Sequence, residues 1–103
     1  MNDTSVHQYR LYVVGDTPAG QRARDNFKII QEVILSGNAE LEVVDVLKSP
    51  ERAEMDRIVA VPALVRIEPP PSFKIIGDLS DSAHLRSFFA VAGGNDSPQE
   101  DGT

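Results

Sequence analysis

Side chains able to do covalent or metal chemistry are few in this chain, and the most versatile of them, cysteine, is absent. That excludes disulfides, thiolate metal sites and dithiol redox chemistry. The two histidines, His7 and His84, stand near opposite ends of the sequence. A metal site or a general base needs converging partners, and no spacing supplies them. Asp45 ends one strand-like run and Asp78 follows Gly77 at the end of another, so these two carboxylates could meet as a pair. Aspartates at strand ends and helix entries more often accept hydrogen bonds from turn amides, and that structural role is the preferred reading. Gly15 and Gly20 lack the Lys-Ser/Thr ending and the spacing of a phosphate loop. Arg22, Arg24, Lys48, Arg52, Arg57, Arg66 and Lys74 are scattered, and from spacing alone they read as a solvated surface balanced by acids.

The chain has 103 residues, 41% hydrophobic and 25% charged, which is ordinary globular composition with room for one domain. A domain of this size buries roughly two-thirds of its unfolded surface, enough for a single modest core. The net charge is −6, but Asp96, Glu100 and Asp101 fall in a terminal stretch without a base, and Asp3 lies in a polar head. Residues 4–92 then carry twelve acids against ten bases, a net of −2. Nucleic acid is therefore not an expected partner. No apolar run approaches the ~20 residues that cross a bilayer, and the start lacks a basic-then-apolar signal pattern. The expectation is a cytoplasmic protein without a membrane partner, a metal or a cofactor.

The elements that must position these residues follow from periodicity. Gln8–Val14 alternates, with Tyr9, Leu11 and Val13 on one face, and predicts a strand. Residues 15–20 form a turn into a helix over about 21–36. Its stripe is Ala23, Phe27, Ile30 and Ile34, widened by Ile29 and Val33, and Gly37 suits the left-handed position beyond it. Glu40–Leu47 reads as a second strand buried on both faces, parallel to the first across the helical crossover. Ser49 is placed to cap a short helix over about 50–59, with Pro50 at its first position, Glu51 at the positive end of its dipole, and Ala53 and Ile58 inward. Strands at 63–68 and 73–77 flank Pro69-Pro70-Pro71, and Leu85, Phe88, Phe89 and Ala92 mark a last helix over about 81–92, capped by Ser80 or Asp81. The expected organisation is a flexible N-terminus over 1–7, one domain over 8–92 and a disordered acidic tail over 93–103.

The order β-α-β-α-β-β-α, with a hairpin between the last two strands, is a thioredoxin-like α/β layout of three layers. Enzymes of that fold carry a nucleophilic thiolate at the start of the first helix, where the dipole lowers its pKa. Here Thr17-Pro18-Ala19-Gly20 stands in that place, and Thr17 has no base to activate its hydroxyl. The scaffold is expected to bind, without catalysis. Val61-Pro62 lies where the fold usually places a cis proline.

Five segments in unbroken order resemble the KaiB family. They are Arg10-Leu11-Tyr12-Val13-Val14-Gly15-Asp16-Thr17-Pro18, Val43-Val44-Asp45-Val46-Leu47-Lys48-Ser49-Pro50, Ile58-Val59-Ala60-Val61-Pro62-Ala63-Leu64, Pro69-Pro70-Pro71, and Ile75-Ile76-Gly77-Asp78-Leu79-Ser80. Asp16, Val61 and Glu68 depart from the usual Asn, Thr and Leu, and Phe88 and Ala90 stand where relatives tend to have Gly and Asp. The resemblance implies a non-catalytic circadian regulator that binds the hexameric ATPase and autokinase KaiC. It further implies KaiA as a partner, and competition with a histidine kinase carrying a KaiB-like domain. By motif, Arg22, Arg57 and Arg66 carry over as basic KaiC contacts, the last two in place of the usual Lys. The family is also metamorphic: its C-terminal half repacks between a thioredoxin-like monomer and a dimeric or tetrameric ground-state fold. Pro62, Pro69, Pro70, Pro71, Gly77, Asp78, Phe88 and Ala90 lie in that half. A Gly inside a helix costs about 1 kcal/mol relative to Ala. Phe88 and Ala90 remove that handicap, so the thioredoxin-like state is expected to dominate here. The alternatives are a thioredoxin-like adaptor in stress or two-component signalling and a glutathione-dependent enzyme. The latter usually needs a helical domain for which 103 residues leave no room.

Overall fold

Seven residues of alternating pattern near the start of the chain become an inner strand of the sheet, because one face buries Tyr9, Leu11 and Val13 and the other buries Tyr12. In the computed structural model, which describes residues 6–81, 85 and 86, β1 (His7–Val13) pairs in parallel with β2 (Ala39–Asp45) and antiparallel with β3 (Ala63–Glu68). β3 in turn pairs antiparallel with β4 (Lys74–Ile76), giving the order β2-β1-β3-β4. Leu11 stands opposite Val43 on one side and Leu64 on the other, and Leu64 opposite Ile75. This row, with Tyr9 and Val13, packs under α1 (Pro18–Val33) through Ala23, Phe27 and Ile30. The alternate row, Tyr12, Val44, Ala63 and Val65, faces the other way and meets Ala53 and Ile58 around α2 (Pro50–Met55). The fold is the expected thioredoxin-like one, with 63–68 as strand.

Several expected boundaries and burials move, each for a local reason. α1 starts at Pro18 rather than near residue 21. The Thr17 side chain accepts from the Gly20 amide at 3.2 Å, and Pro18 has the fixed φ that suits the first turn. Gly20 lies inside the helix, where an added Cβ would sit 3.3 Å from the Val13 side chain, so the helix approaches β1 as closely as glycine permits. Gly37 is left-handed as expected (φ 76°), with Ser36 also left-handed before it (φ 54°). Ile29 and Val33 do not widen the buried stripe: they are 60% and 55% exposed. β2 is an edge strand with Glu40 and Glu42 exposed, not a strand buried on both faces.

The second helix is shorter than expected and ends in a defined motif. The Ile58 amide donates to the Ala53 carbonyl (2.8 Å) and the Arg57 amide to that of Glu54 (3.0 Å), the paired bonds of a Schellman turn. Its left-handed residue is Arg57, at φ 56°. Ser49 occupies the N-cap position but makes no side-chain cap bond. The Val61–Pro62 peptide is cis, as are Glu68–Pro69 and Pro70–Pro71. Of the expected last helix only Asp81, Leu85 and Arg86 are described, the last two helical, and the Leu85 amide donates to the Asp81 carbonyl at 3.0 Å. Phe88, Ala90, His84, Met1–Ser5 and the stretch from Gly93 lie outside the described residues.

Candidate functional site

The three arginines expected at a partner surface meet different fates. Arg66 is 1% exposed. It shares a face of β3 with Leu64, the face covered by α1, and its Nε donates to the Pro69 carbonyl at 2.8 Å while its guanidinium lies 5.0 Å from the centre of the Phe73 ring. It also reaches Tyr9, whose phenol is pushed up by burial and partly relieved by Arg66. Arg66 is thus an internal brace for the loop after β3 rather than a surface contact. Pro69 is bound into that brace, and Pro70 and Pro71 are the exposed crown of the loop.

Arg22 and Arg57 remain exposed, and both are tied to the β4 segment from opposite faces of the sheet. Arg22, on α1, donates from Nε to an Asp78 carboxylate oxygen at 2.9 Å. Asp78 also accepts from the Ser80 amide (3.1 Å), and its backbone carbonyl accepts from the Asn26 side chain (2.8 Å). Bonds from Ser80 and then Arg22 hold its carboxyl below the usual range. Arg57 sits beyond α2, and its carbonyl accepts from Lys74 Nζ of β4 at 3.0 Å. Among the described residues no carboxylate pairs with the Arg57 side chain. Exposed Met55, Val59 and Ile76 come from the same two segments. Pro62 and Gly77 close the base of the β3–β4 hairpin, the Gly77 amide donating to the Pro62 carbonyl at 2.8 Å with Gly77 at φ 117°.

Asp45 and Asp78 each accept bonds from turn amides, and Asp78 also from Arg22. Asp45 accepts from the amides of Gly15 (3.1 Å) and Leu47 (2.9 Å), which lower its pKa. The Thr17 hydroxyl, where the fold's enzymes keep a thiolate, is the cap of α1. Among the described residues no three His, Asp or Glu groups are placed to hold a metal ion, and no helix is long and apolar enough to cross a membrane.

Sequence reasoning missed the polar network under α2. Arg10 of β1 donates to Glu42 (3.0 Å) and Asp56 (2.9 Å), and Arg52 grips Glu42 with two bonds of 2.7 Å. The Tyr12 hydroxyl lies between Asp56 and the Arg52 carbonyl. That carbonyl already accepts from the Asp56 amide, so the hydroxyl proton goes to the carboxylate, the stronger acceptor. These partners are up to 46 residues apart, and only the charges themselves were visible in the sequence.

The network has a pH signature. Arg52 and then Arg10 pull Glu42 from 4.5 down to about 2. Burial alone would raise Asp56, but bonds from Tyr12 and Arg10 outweigh it and leave it lowered. A carboxyl depressed in the folded state stabilises the fold above its unfolded pKa, and that contribution disappears as the pH falls through its folded value. Melting temperature is therefore expected to be level above about pH 5 and to fall between about pH 4.5 and 2. Glu42→Gln should show a shallower fall. A wild-type protein whose melting temperature holds or rises on acidification would contradict this.

A family model described as the KaiB domain matches residues 10–90, running past the Ser80 at which the sequence segments end. The circadian clock oscillator protein KaiB of Nostoc punctiforme is 54% identical over 72 residues, 70% of this chain and 69% of its own. That of Prochlorococcus marinus is 48% identical over 81 residues, 79% of this chain and 76% of its own. Among solved structures, the N-terminal domain of Synechococcus elongatus SasA matches with a TM-score of 0.71 at 23% identity, covering 86% of this chain and 84% of that one. Chloroplastic thioredoxin z matches at 0.62 and 16% identity, over 81% and 74%. At those identities the two structures speak to the fold alone.

Proposed function

The chain belongs to the KaiB family of circadian clock proteins, and from that premise we propose that it is a non-catalytic clock regulator that binds a KaiC-family ATPase in the cytoplasm. The contact surface is built around Arg57 and Arg22, flanking β4. KaiA, and competition with a kinase bearing a KaiB-like domain, belong to the same reading. So do a monomeric thioredoxin-like binding state and a ground-state repacking of the C-terminal half into a dimer or tetramer. Such a switch needs two packings only a few kcal/mol apart.

The observation that carries the proposal is the backbone of Arg57. The left-handed residue of a Schellman turn is usually glycine, because a Cβ there costs about 1–2 kcal/mol. An arginine held there, exposed and without a carboxylate partner among the described residues, is a strained residue kept for its side chain. The test is Arg57→Gly. Its stability is expected to be unchanged or raised by up to about 1 kcal/mol, since relief of strain outweighs the entropy glycine adds to the unfolded chain. Its affinity for a KaiC-family hexamer is expected to fall about tenfold, as when an interface arginine is removed. Wild-type affinity in Arg57→Gly would defeat the assignment. Arg22→Ala, with a partly neutralised side chain, should lose less.

A further inference from the structure

α2 has six residues and none of them is buried. Among the described residues its apolar anchorage is Ala53 and, just beyond it, Ile58, both only partly buried against the Tyr12 cluster. What fixes its last turn is polar. Asp56, the C-cap residue, is bonded through its side chain to Arg10 and Tyr12 of β1, the central strand. On the other side, Lys74 of β4 holds the Arg57 carbonyl. Arg57 is thus pinned between two strands of a rigid sheet, once through the residue before it and once through its own backbone.

We propose that Asp56, gripped by Arg10 and Tyr12, is a positioning residue that sets the direction in which Arg57 meets the partner. It touches no partner itself. The two turn bonds after Ala53 and Glu54 favour the left-handed conformation, but a Cβ there costs about 1–2 kcal/mol, so on an otherwise unanchored turn the arginine would spend part of its time right-handed or extended. The Asp56 grip removes that freedom before binding, so the ordering cost is not charged against affinity. The inference rests on reading Arg57 as a partner contact.

Two arms in the full-length protein test it. In the first, amide hydrogen exchange is measured without partner in Tyr12→Phe, which keeps the ring packing, and in Asp56→Ala. Exchange at Arg57 and Ile58 is expected to quicken about tenfold in Tyr12→Phe, the effect of losing one hydrogen bond to a charged group, and by more in Asp56→Ala, which also loses the bond from Arg10, while the Leu11 amide stays protected. In the second, affinity for a KaiC-family hexamer is measured for Asp56→Ala, Arg57→Gly and the double variant. Asp56→Ala alone is expected to weaken binding several-fold and to cost nothing further once Arg57 is glycine, the non-additivity of a residue acting through its neighbour. Additive losses, or unchanged exchange at Arg57 and Ile58, would overturn the inference. If the wild-type protein does not bind the hexamer, the functional reading fails, and the exchange arm still decides whether Asp56 fixes Arg57.

Discussion

Arg66→Ala is expected to cost about 3 kcal/mol or more of folding stability, a loss of a different kind from that of Arg57→Gly. Three losses add at this site. A long side chain removed from a 1%-exposed position leaves a cavity. The part-buried Pro69 carbonyl, which accepts from Arg66 Nε at 2.8 Å, also loses its charged donor, at about 1–3 kcal/mol. The contact with the Phe73 ring goes as well. Arg66→Met separates volume from polar contact, because methionine fills much of the space but loses the bond to Pro69 and the charge beside Phe73 and Tyr9, so about half the loss should return. Urea unfolding midpoints measure both variants. A domain of this size has about 5–15 kcal/mol in hand, so Arg66→Ala should still fold in the absence of urea, with a clearly lowered midpoint. An Arg66→Ala midpoint equal to wild type would show that the side chain is not a brace.

Why Arg66 was misplaced shows what a sequence reveals and what it hides. Period-2 alternation put Tyr9, Leu11 and Val13 on one face correctly, since that pattern depends on local geometry alone. The same rule puts Arg66 with Leu64 on the buried face, and this signal was available; the charge of the side chain outweighed it. Glu40 and Glu42 carried the edge signal for β2, yet Val43 and Val44 suggested a strand covered on both sides. The Pro50 start of α2 and the parallel crossover were legible because proline geometry and crossover handedness are local or nearly universal rules. The grip on Asp56 was not legible. Nothing in a run such as Glu54-Met55-Asp56-Arg57 says which carboxylate will find a tyrosine hydroxyl 44 residues upstream. The family motifs pointed to Arg57, but its left-handed backbone appears only once the two turn bonds after Ala53 and Glu54 are seen.

The largest single effect is expected at Phe27, and its contrast with Ile29 tests the orientation of α1. Phe27 is 1% exposed, with its ring 5.3 Å from that of Tyr9 and tilted by 57°, at the centre of the cluster between α1 and the sheet. Phe27→Ala should cost about 3–5 kcal/mol, the transfer energy of the ring plus the cavity it leaves against close-packed strands. That loss is a large fraction of the stability of a small domain, so the unfolding midpoint of the variant should fall far below that of the wild type. Ile29 is also a large apolar residue and lies only two positions away, but two steps of a helix turn it about 200° from Phe27, to the solvent side. Val33, one turn further, shares that outer side, whereas Ile30 and Ile34 return to the core. Ile29→Ala and Val33→Ala are therefore expected to change stability by no more than about 0.5 kcal/mol, as exposed substitutions do. Chemical denaturation of the three variants decides the point. Should Ile29→Ala destabilise the protein as much as Phe27→Ala, α1 would be rotated from the orientation described, and with it the placement of Arg22 over Asp78.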